Sequence, residues 1–385
     1  MSQRTVLVVG GGIGGLGAAI ALAQAGLEVA VYERAPEIRE VGAGITIQCN
    51  AIRALARLGL DQTVVAAGER VTRLRILTAR GRVLADLPLL PLYAELGAPA
   101  IALHRATLQR ILYQAAGSAR VHTGWECVSY RTDDACVRIR LADGREVAGA
   151  VLVGADGIRS LVRAQLLSDG PPGYAGYTAW RGVVPDRCGV PAGQSSESWG
   201  RGRRFGMAPI DGDRMYWYAT ANVPAGQSAP PGQVRAQLLE LYRGWHAPVC
   251  ELIAATPEAN ILRGDIFDRP PAARWGQGRV TLLGDAAHPM TPDLGQGACQ
   301  ALEDAVVLAD ALASADAAAP APALRSYEAR RQIRTRWFVV HAHRLGAIAQ
   351  RQHPLACWAR DLGARMTPAA LWRRQLRQAW RFSWS

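Results

Sequence analysis

Short apolar runs, each ending close to a glycine or an acidic residue, divide the first part of the chain into predicted elements. Residues 5–9 (TVLVV) are a short apolar run, as expected for a strand buried on both faces of a parallel sheet. Residues 27–32 (LEVAVY), apolar apart from Glu28, predict a second strand. Between them, residues 16–25 carry apolar side chains at helical spacing. The order strand, helix, strand predicts a βαβ unit within a parallel sheet.

Two later apolar runs, at residues 147–153 and 279–283, predict further strands of the same sheet. The stretch between them has a different texture: strand-like segments rich in Trp, Tyr and Arg alternate with Gly/Pro turns, which predicts an antiparallel sheet. These segments are residues 173–184, 197–199, 203–209 and 214–221. The predicted fold class is therefore α/β: a Rossmann-like domain interrupted by an inserted antiparallel-sheet domain and followed by C-terminal helices.

Weaker patterns predict the connecting elements. Residues 39–47 form a glycine-rich loop leading into a strand, and residues 71–77 and 82–87 a hairpin. The Pro-containing segment 88–99 is interpreted as a linker. A three-stranded meander is predicted at residues 121–123, 126–132 and 136–141, and late helices at 297–313, 324–349 and 358–381.

These elements divide the chain into a discontinuous domain and an insertion. We assign residues 1–72, 97–172 and 268–345 to the nucleotide-binding domain, and residues 73–96 and 173–267 to the substrate-binding sheet domain. Residues 346–385 form a C-terminal helical segment. For its Arg/Trp-rich end, a helix covering the substrate domain is favoured, while a membrane-surface helix or a dimer contact stays open.

Composition narrows the function classes. The 385 residues include 44 basic ones, all of them Arg, and the net charge is +12. No basic run or nucleic-acid motif accompanies this charge, so a nucleic-acid partner is not expected. The absence of Lys excludes Schiff-base chemistry and a P-loop lysine. Seven scattered Cys with no metal-ligand spacing predict free thiols, no metal site and a cytoplasmic location.

The first chemical motif is the glycine-rich turn after the first strand. Gly10 to Gly15 read GGGIGG, and Glu33 ends the second strand about twenty residues later. Glycines let the backbone approach a pyrophosphate at a helix N-terminus, and the acid accepts from ribose hydroxyls. An acid at this point disfavours a 2′-phosphate, which fits FAD or NAD better than NADP. The apolar run 6–22 is broken by glycines, so neither a signal peptide nor a membrane span is expected.

Two further motifs repeat the arrangement of strand, carboxylate and helix. Residues 154–160 read GADGIRS, and residues 284–297 read GDAAHPMTPDLGQG. A carboxylate at a strand end beside a helix N-terminus suits a polar ligand. Arg105, which opens another predicted helix, is either a phosphate contact or an exposed first-turn arginine.

The ordered triple of motifs resembles the single-component FAD-dependent monooxygenases, which include salicylate and hydroxybenzoate hydroxylases, zeaxanthin epoxidase and urate hydroxylase. The resemblance spans about residues 6–345. It implies FAD as the cofactor, held by residues at matching positions. These are Gly11, Gly12, Ile13, Gly14, Glu33, Arg34, Ala43, Arg105, Cys127, Asp156, Asp285, Pro292, Gly295, Gln296, Gly297, Ala298 and Cys299.

The resemblance also implies a reaction. NADH or NADPH reduces FAD, O2 adds at C4a, and the resulting hydroperoxide hydroxylates or epoxidises an electron-rich aromatic or heteroaromatic small molecule. Only one GxGxxG is present, so the reductant has no Rossmann domain of its own and binds transiently. A monomer or homodimer is expected, and membrane contact is not favoured.

Three residues are candidates for the substrate side. Arg204, Tyr216 and Asp293 match positions linked to substrate and catalysis in urate hydroxylase. Arg204 could fork onto substrate oxygens, Tyr216 hydrogen-bond a polar edge, and Asp293 orient or deprotonate the substrate. The alternatives are a solvated arginine cluster at 201–204, a packed tyrosine, and an aspartate that only caps a helix. His288 is interpreted as structural rather than as a base.

The sequence also leaves other functions open. A urate hydroxylase is one specific version of the assignment, although the same motif resembles monooxygenases acting on phenazines and other heteroaromatics. A reductase of the same fold, for example one acting on prenyl chains, is an alternative enzyme. A binding protein that retains the nucleotide fold without catalysis is the third class.

Overall fold

The computed structural model describes residues 5–37, 42–118, 120–316 and 319–384. Its strands are β1 (Val6–Val9), β2 (Val29–Glu33), β3 (Gly44–Ile47), β4 (Glu69–Arg70), β5 (Arg73–Thr78), β6 (Val83–Pro88), β7 (Ile101–His104), β8 (Arg120–Thr123), β9 (Cys127–Thr132), β10 (Val137–Leu141), β11 (Glu146–Gly149), β12 (Val151–Gly154), β13 (Gly173–Val184), β14 (Gln194–Trp199), β15 (Arg203–Pro209), β16 (Met215–Ala221), β17 (Leu262–Asp268), β18 (Gly276–Gln277) and β19 (Val280–Leu282).

The α-helices have the following bounds. They are α1 (Ile13–Gln24), α2 (Cys49–Arg57), α3 (Asp61–Ala66), α4 (Leu90–Leu96), α5 (Arg105–Ala115), α6 (Leu161–Leu167), α7 (Val234–Leu241), α8 (Val249–Ala255), α9 (Gly297–Ala313), α10 (Ala321–Ala349), α11 (Pro354–Met366) and α12 (Ala369–Trp380). Within the described residues, no helix is both long and apolar enough to cross a bilayer.

The nucleotide-binding part is built on a six-stranded sheet in the order β18-β19-β12-β1-β2-β8. Strand β1 pairs in parallel with both β2 and β12, and β12 with β19, so the ends of these strands meet at one edge. The burial of β1 on both faces explains its uninterrupted apolar sequence. The α/β class and the predicted βαβ unit are confirmed.

The inserted part is a seven-stranded sheet in the order β17-β13-β16-β15-β14-β5-β6. It combines the hairpin β5–β6 with the later Trp/Tyr/Arg-rich strands. The Trp/Tyr/Arg-rich strands pair antiparallel as predicted, and one junction differs, because β14 pairs with β5 of the hairpin in parallel. The two strands come from distant parts of the chain, so no hairpin constrains their direction.

Several connecting elements differ from their predictions. The segment 88–99 is not only a linker but contains α4, whose proline lies in the first turn, where a missing N–H costs nothing. Strand β8 joins the main sheet beside β2, so the meander consists of β9, β10 and β11. The run 147–153 divides between β11 and β12. Of the predicted loop 39–47, residues 39–41 lie outside the described residues, and β3 is its strand.

The C-terminal helix predicted at 358–381 is two helices. α11 ends at Met366 and α12 begins at Ala369, because Pro368 disfavours helical geometry in the residue before it. Helix α10 continues to Ala349, past the predicted start of the C-terminal segment at residue 346. Trp372 and Ala364 pack with Ile76, Leu84 and Trp199, which places the segment over the β5–β6 hairpin as favoured.

Candidate active site

The glycine-rich turn after β1 leaves an open space at the start of α1. Gly10 has φ +110°, and a Cβ there would lie 2.3 Å from the Ala155 carbonyl oxygen, so only glycine fits. At Gly12, the N-cap, a Cβ would meet nothing within 4 Å, and no side chain caps the helix. The free N–H groups of this N-terminus therefore face space that a pyrophosphate could fill.

Glu33 holds this turn in shape. One carboxylate oxygen accepts from the Gly11 N–H at 2.6 Å and the other from the Ala35 N–H at 2.8 Å. Arg34 follows as an exposed residue, whereas Ile13 is buried in the core beneath the turn. The carboxylate of Glu33 thus orders the loop, and its contact with ribose hydroxyls stays a prediction.

Asp285 is the carboxylate best placed for the cofactor. It lies in the turn after β19, where Gly284 has φ +61°. Its side chain is accessible although its neighbours Gly284 and Ala286 are buried, and it accepts no hydrogen bond from the described residues. Desolvation by the surrounding protein raises the pKa of the Asp285 carboxyl, while the nearby charges of His288 and Arg105 oppose that rise. A carboxylate that lines a cleft without a donor is available for ligand hydroxyls.

The cleft continues from Asp285 to the N-terminus of α9. A Cβ on Gly297 would lie 3.6 Å from an Asp285 carboxylate oxygen, and no side chain caps the helix at Gln296. The side chain of Arg105 is exposed in the same region. Desolvation by the surrounding protein lowers the pKa of its guanidinium, and the Asp285 carboxylate only partly offsets that decrease. Two helix N-termini, a carboxylate and an arginine thus surround one cleft, which fits a flavin dinucleotide with its pyrophosphate and ribityl hydroxyls.

A buried charged network supports this wall of the cleft. Asp304 accepts from the Gly284 N–H at 3.0 Å and lies 2.6 Å from His288 Nε2. Arg331 bonds Asp304 and Glu303, each at 2.6 Å, and all three side chains are fully buried. The interpretation of His288 as a structural residue agrees with this position. Asp304, Glu303 and Arg331 were not predicted as buried residues. In sequence, a charged residue in a mainly apolar helix is normally assigned to the face that contacts solvent.

Amides hold the loop between the 292–294 turn and α9. Gln48 donates to the Leu294 carbonyl at 3.0 Å, and Asn50 donates to Gln296 at 3.0 Å and to Glu303 at 2.6 Å. This fixes Gly295, which has φ +62°, and so the direction in which α9 begins.

The remaining predicted cofactor residues lie in several parts of the structure. Pro292, Gly295, Gln296, Gly297, Ala298 and Cys299 lie in sequence along the wall just described, with Cys299 buried against Gln48. Ala43 is buried and accepts from the Arg105 N–H at 2.9 Å. Cys127 is buried, which raises its pKa to about 11. Asp156 accepts from Leu161 N–H at 2.7 Å and from Ser160, so its carboxylate caps α6; its contact with the cofactor stays a prediction.

On the substrate side, Arg204 and Asp293 form a buried pair. A guanidinium nitrogen of Arg204 lies 2.6 Å from Asp293 Oδ1, and both side chains are almost wholly shielded from solvent. The phenol of Tyr177 donates to Asp293 Oδ2 at 2.7 Å. The alternative of a solvated arginine edge is therefore wrong for Arg204, because its side chain turns inward from β15.

A second carboxylate, Glu197, completes the cluster around Arg204. Its Oε1 lies 3.5 Å from the guanidinium, and its other oxygen accepts from the Tyr218 hydroxyl. Burial alone would lower the pKa of Arg204, but the carboxylates of Glu197 and Asp293 outweigh it and raise that pKa. Burial and the Asp293 charge raise the pKa of Tyr177, which keeps its phenol protonated and able to donate.

Tyr216 lies near this cluster but not in direct contact with Arg204. Tyr216 and Tyr218 share one face of β16 with ring centroids 6.1 Å apart, while Trp217 packs into the core on the other face. The ring of Tyr216 lies against Gly44, where a Cβ would be 2.3 Å from the ring. Burial raises the pKa of Tyr216, and the neighbouring Arg181 guanidinium lowers it. Tyr216 therefore joins the substrate sheet to β3 of the nucleotide-binding part.

Gly346 gives Asp293 its room. A Cβ at this position of α10 would lie 2.6 Å from Asp293 Oδ2, so the helix passes the carboxylate with no space for a side chain. Tyr177, Glu197, Arg181 and Gly346 were all missed by sequence reasoning. Glu197 lies in a strand of mostly polar sequence, QSSESW, so nothing in the local sequence distinguishes it or the other three.

This geometry combines a dinucleotide cleft with a buried polar cluster beside it, an arrangement that defines a flavoprotein oxidoreductase. The chain matches the FAD binding domain family over residues 3–342. It is 49% identical over 362 residues to the aurachin C monooxygenase/isomerase of Stigmatella aurantiaca, covering 94% of each chain. It is also 37% identical over 341 residues to the FAD-dependent urate hydroxylase of Klebsiella pneumoniae subsp. pneumoniae, covering 88% of each.

The fold comparison agrees. The crystal structure of Klebsiella pneumoniae HpxO complexed with FAD and uric acid superposes with a TM-score of 0.91 at 33% identity, covering 98% of this chain and 96% of that one. The chain therefore belongs to the FAD-dependent monooxygenases, and the predicted family, enzyme class and cofactor FAD are confirmed.

Proposed function

We propose that this protein is an NAD(P)H-consuming monooxygenase that hydroxylates a planar heteroaromatic compound carrying a carbonyl next to a ring N–H or hydroxyl. The observation that carries the proposal is the Arg204–Asp293 pair. At 2.6 Å separation, a donor and an acceptor lie side by side between the substrate sheet and the turn that leads into α9. A substrate edge with an adjacent acceptor and donor is complementary to such a pair.

The residues around the cleft fit FAD. The N-termini of α1 and α9 would hold its phosphates, and Asp285 its ribityl hydroxyls, since this carboxylate has accessible oxygens and no donor among the described residues. When bound and reduced by NAD(P)H, FAD supplies the activation of O2 and delivers one oxygen atom to an electron-rich ring, the other leaving as water.

The chain's own residues would position and polarise the substrate. Arg204 would donate to the carbonyl oxygen, and Asp293 Oδ1 would accept the neighbouring N–H or O–H. Withdrawing that proton raises electron density in the ring, which favours attack by an electrophilic oxygen. Tyr177 stays protonated and holds Asp293 Oδ2, so the carboxylate keeps its orientation when its partner changes.

Glu197 allows this exchange without stranding a buried charge. With Asp293 alone as its partner, Arg204 would be left unpaired whenever Asp293 bonded the substrate or took up its proton, and an unpaired buried charge is costly. The Glu197 carboxylate, 3.5 Å from the guanidinium, keeps Arg204 compensated in both states. The cluster is therefore suited to a substrate that arrives neutral and is ionised in the site.

The relatives support this substrate class. One is named for aurachin C and another for urate. The carbonyl-rich edge proposed from the Arg204–Asp293 geometry is a feature that a purine or a quinolone presents, whereas a simple phenol presents only a hydroxyl.

The test is substrate-stimulated NAD(P)H oxidation with quinolones, purines including urate, phenazines and phenols, each followed by mass analysis of the product after reaction under 18O2. We expect compounds with the adjacent carbonyl and donor to stimulate oxidation and to gain one 18O atom. Stimulation by phenols alone would contradict the substrate class. Product without 18O would contradict monooxygenation and favour a reductase.

A further inference from the structure

Helix α11 presents an apolar stripe on its outer face. Leu355, Trp358, Leu362 and Met366 follow one another at helical spacing and are 70%, 65%, 39% and 72% exposed. The opposite face, with Cys357, Arg360 and Ala364, is the one that packs onto the protein. The stripe is therefore not the buried side of an amphipathic helix; it is a second apolar face, directly opposite the first.

Arginines surround the stripe. Residues 351–381 contain seven arginines and a single acidic residue, Asp361. That aspartate is paired with Arg360 at 2.9 Å. Arg365, Arg373 and Arg374 are exposed, and among the described residues none of them forms an ion pair. The segment thus combines exposed Trp, Leu and Met with uncompensated positive charge.

We propose that α11 and the start of α12 dock the protein onto an anionic phospholipid surface. An exposed apolar helix face that includes Trp, flanked by arginines, buries its side chains at the headgroup boundary while the arginines contact lipid phosphates. A second copy of this chain fits the stripe less well, because a symmetric contact would set one arginine-rich segment against another. Charge complementarity therefore favours the lipid surface.

The attachment of α11 gives the docking a consequence for the site. Arg360 donates to the Gly200 carbonyl at 3.1 Å and to the Ala349 carbonyl at 2.7 Å. Gly200 lies in the turn between β14 and β15, the strands that carry Glu197 and Arg204. Docking through α11 would thus hold the substrate sheet beside the membrane surface, where a lipophilic aromatic compound is concentrated. The docking itself does not depend on the proposed reaction.

The test is co-sedimentation of the FAD-bound protein with vesicles of phosphatidylglycerol mixed with phosphatidylcholine, and with phosphatidylcholine alone. We expect binding to the anionic vesicles that weakens with added salt, and at least about tenfold weaker binding for the Trp358→Ser/Leu362→Ser variant. Ile333→Ser is the matched control, because Ile333 is 82% exposed on α10, outside the stripe, and should bind as wild type does.

Three outcomes would overturn the proposal. They are no difference between anionic and neutral vesicles, unchanged binding of Trp358→Ser/Leu362→Ser, or a concentration-dependent dimer that this variant abolishes. Retention of the flavin absorbance spectrum shows that each variant is folded. A second variant, Arg365→Gln/Arg374→Gln, should lower binding to the anionic vesicles while leaving the apolar stripe intact.

Discussion

Arg204 of β15 and Asp293 of the turn before α9 meet across the interface between the substrate sheet and the nucleotide-binding part, with 2.6 Å between nitrogen and oxygen. Each is held from behind, Arg204 by Glu197 and Asp293 by Tyr177. The pair joins the substrate wall to the loop that leads directly into the cofactor helix. Any shift of that loop therefore changes how the pair can meet a substrate.

The first prediction concerns the cofactor. Asp285→Ala removes the accessible carboxylate at the end of β19 and should give protein that purifies largely without flavin. The loss of one charge-assisted hydrogen bond corresponds to a roughly 10- to 100-fold weaker affinity. The readout is the flavin-to-protein absorbance ratio and titration with FAD. Asp213→Asn, at a highly exposed aspartate, is the control, and a fully yellow Asp285→Ala protein would remove Asp285 from the cofactor site.

The second prediction concerns the space beside Asp293. Gly346→Ala places a methyl group 2.6 Å from Oδ2 and should displace the carboxylate from Tyr177 and Arg204. Moving a catalytic group by about 1 Å costs about 100-fold in rate. Substrate-stimulated NAD(P)H oxidation should therefore fall while flavin stays bound. Gly363→Ala on α11 is the matched control, because a Cβ there meets nothing within 4 Å. Equal activity of the two variants would show that the reaction does not depend on the exact position of the Asp293 carboxylate.

The third prediction concerns the buried network. Burial alone would raise the pKa of Asp304, but the charges of His288 and Arg331 lower it to about 2. In an unfolded chain, the pKa of an aspartate is about 3.9. Because the folded pKa is the lower one, the carboxylate stabilises the fold fully above about pH 4, and the effect is lost as the pH falls to about 2.

Asp304→Asn should accordingly lower the free energy of unfolding at pH 7, and its difference from wild type should shrink between about pH 4 and pH 2. Urea unfolding at a series of pH values, at matched FAD concentration, measures both. A difference from wild type that stays constant across this range would mean that the ionised carboxylate is not what stabilises the fold.

Local pattern predicted the fold further than it predicted the site. The sequence located strands buried on both faces and helices with clear apolar spacing, such as α9. Their burial produces a hydrophobic pattern within one short stretch of residues. The meander was predicted with one wrong strand, and the parallel pairing of β14 with β5 was not predicted, because tertiary packing decides which strands pair. Arg204 and Asp293 were each identified, but their contact depends on the register of β15 and the path of α10, which no local sequence feature records.

The same limit applies to the residues that support the pair. Glu197 and Tyr177 lie on separate strands, β14 and β13, and become neighbours only when the seven-stranded sheet forms. Gly346 looks like any glycine inside a helix. Its requirement comes from Asp293, which approaches it from another part of the chain.

The most direct test of the account is substrate-stimulated NAD(P)H oxidation by Arg204→Gln, measured beside wild type and the exposed-turn control Arg201→Gln. We expect Arg204→Gln to keep its flavin spectrum and lose stimulation by about tenfold or more, since a guanidinium–substrate hydrogen bond is removed. Arg201→Gln should behave as wild type. Undiminished stimulation of Arg204→Gln would contradict the claim that the Arg204–Asp293 pair receives the substrate.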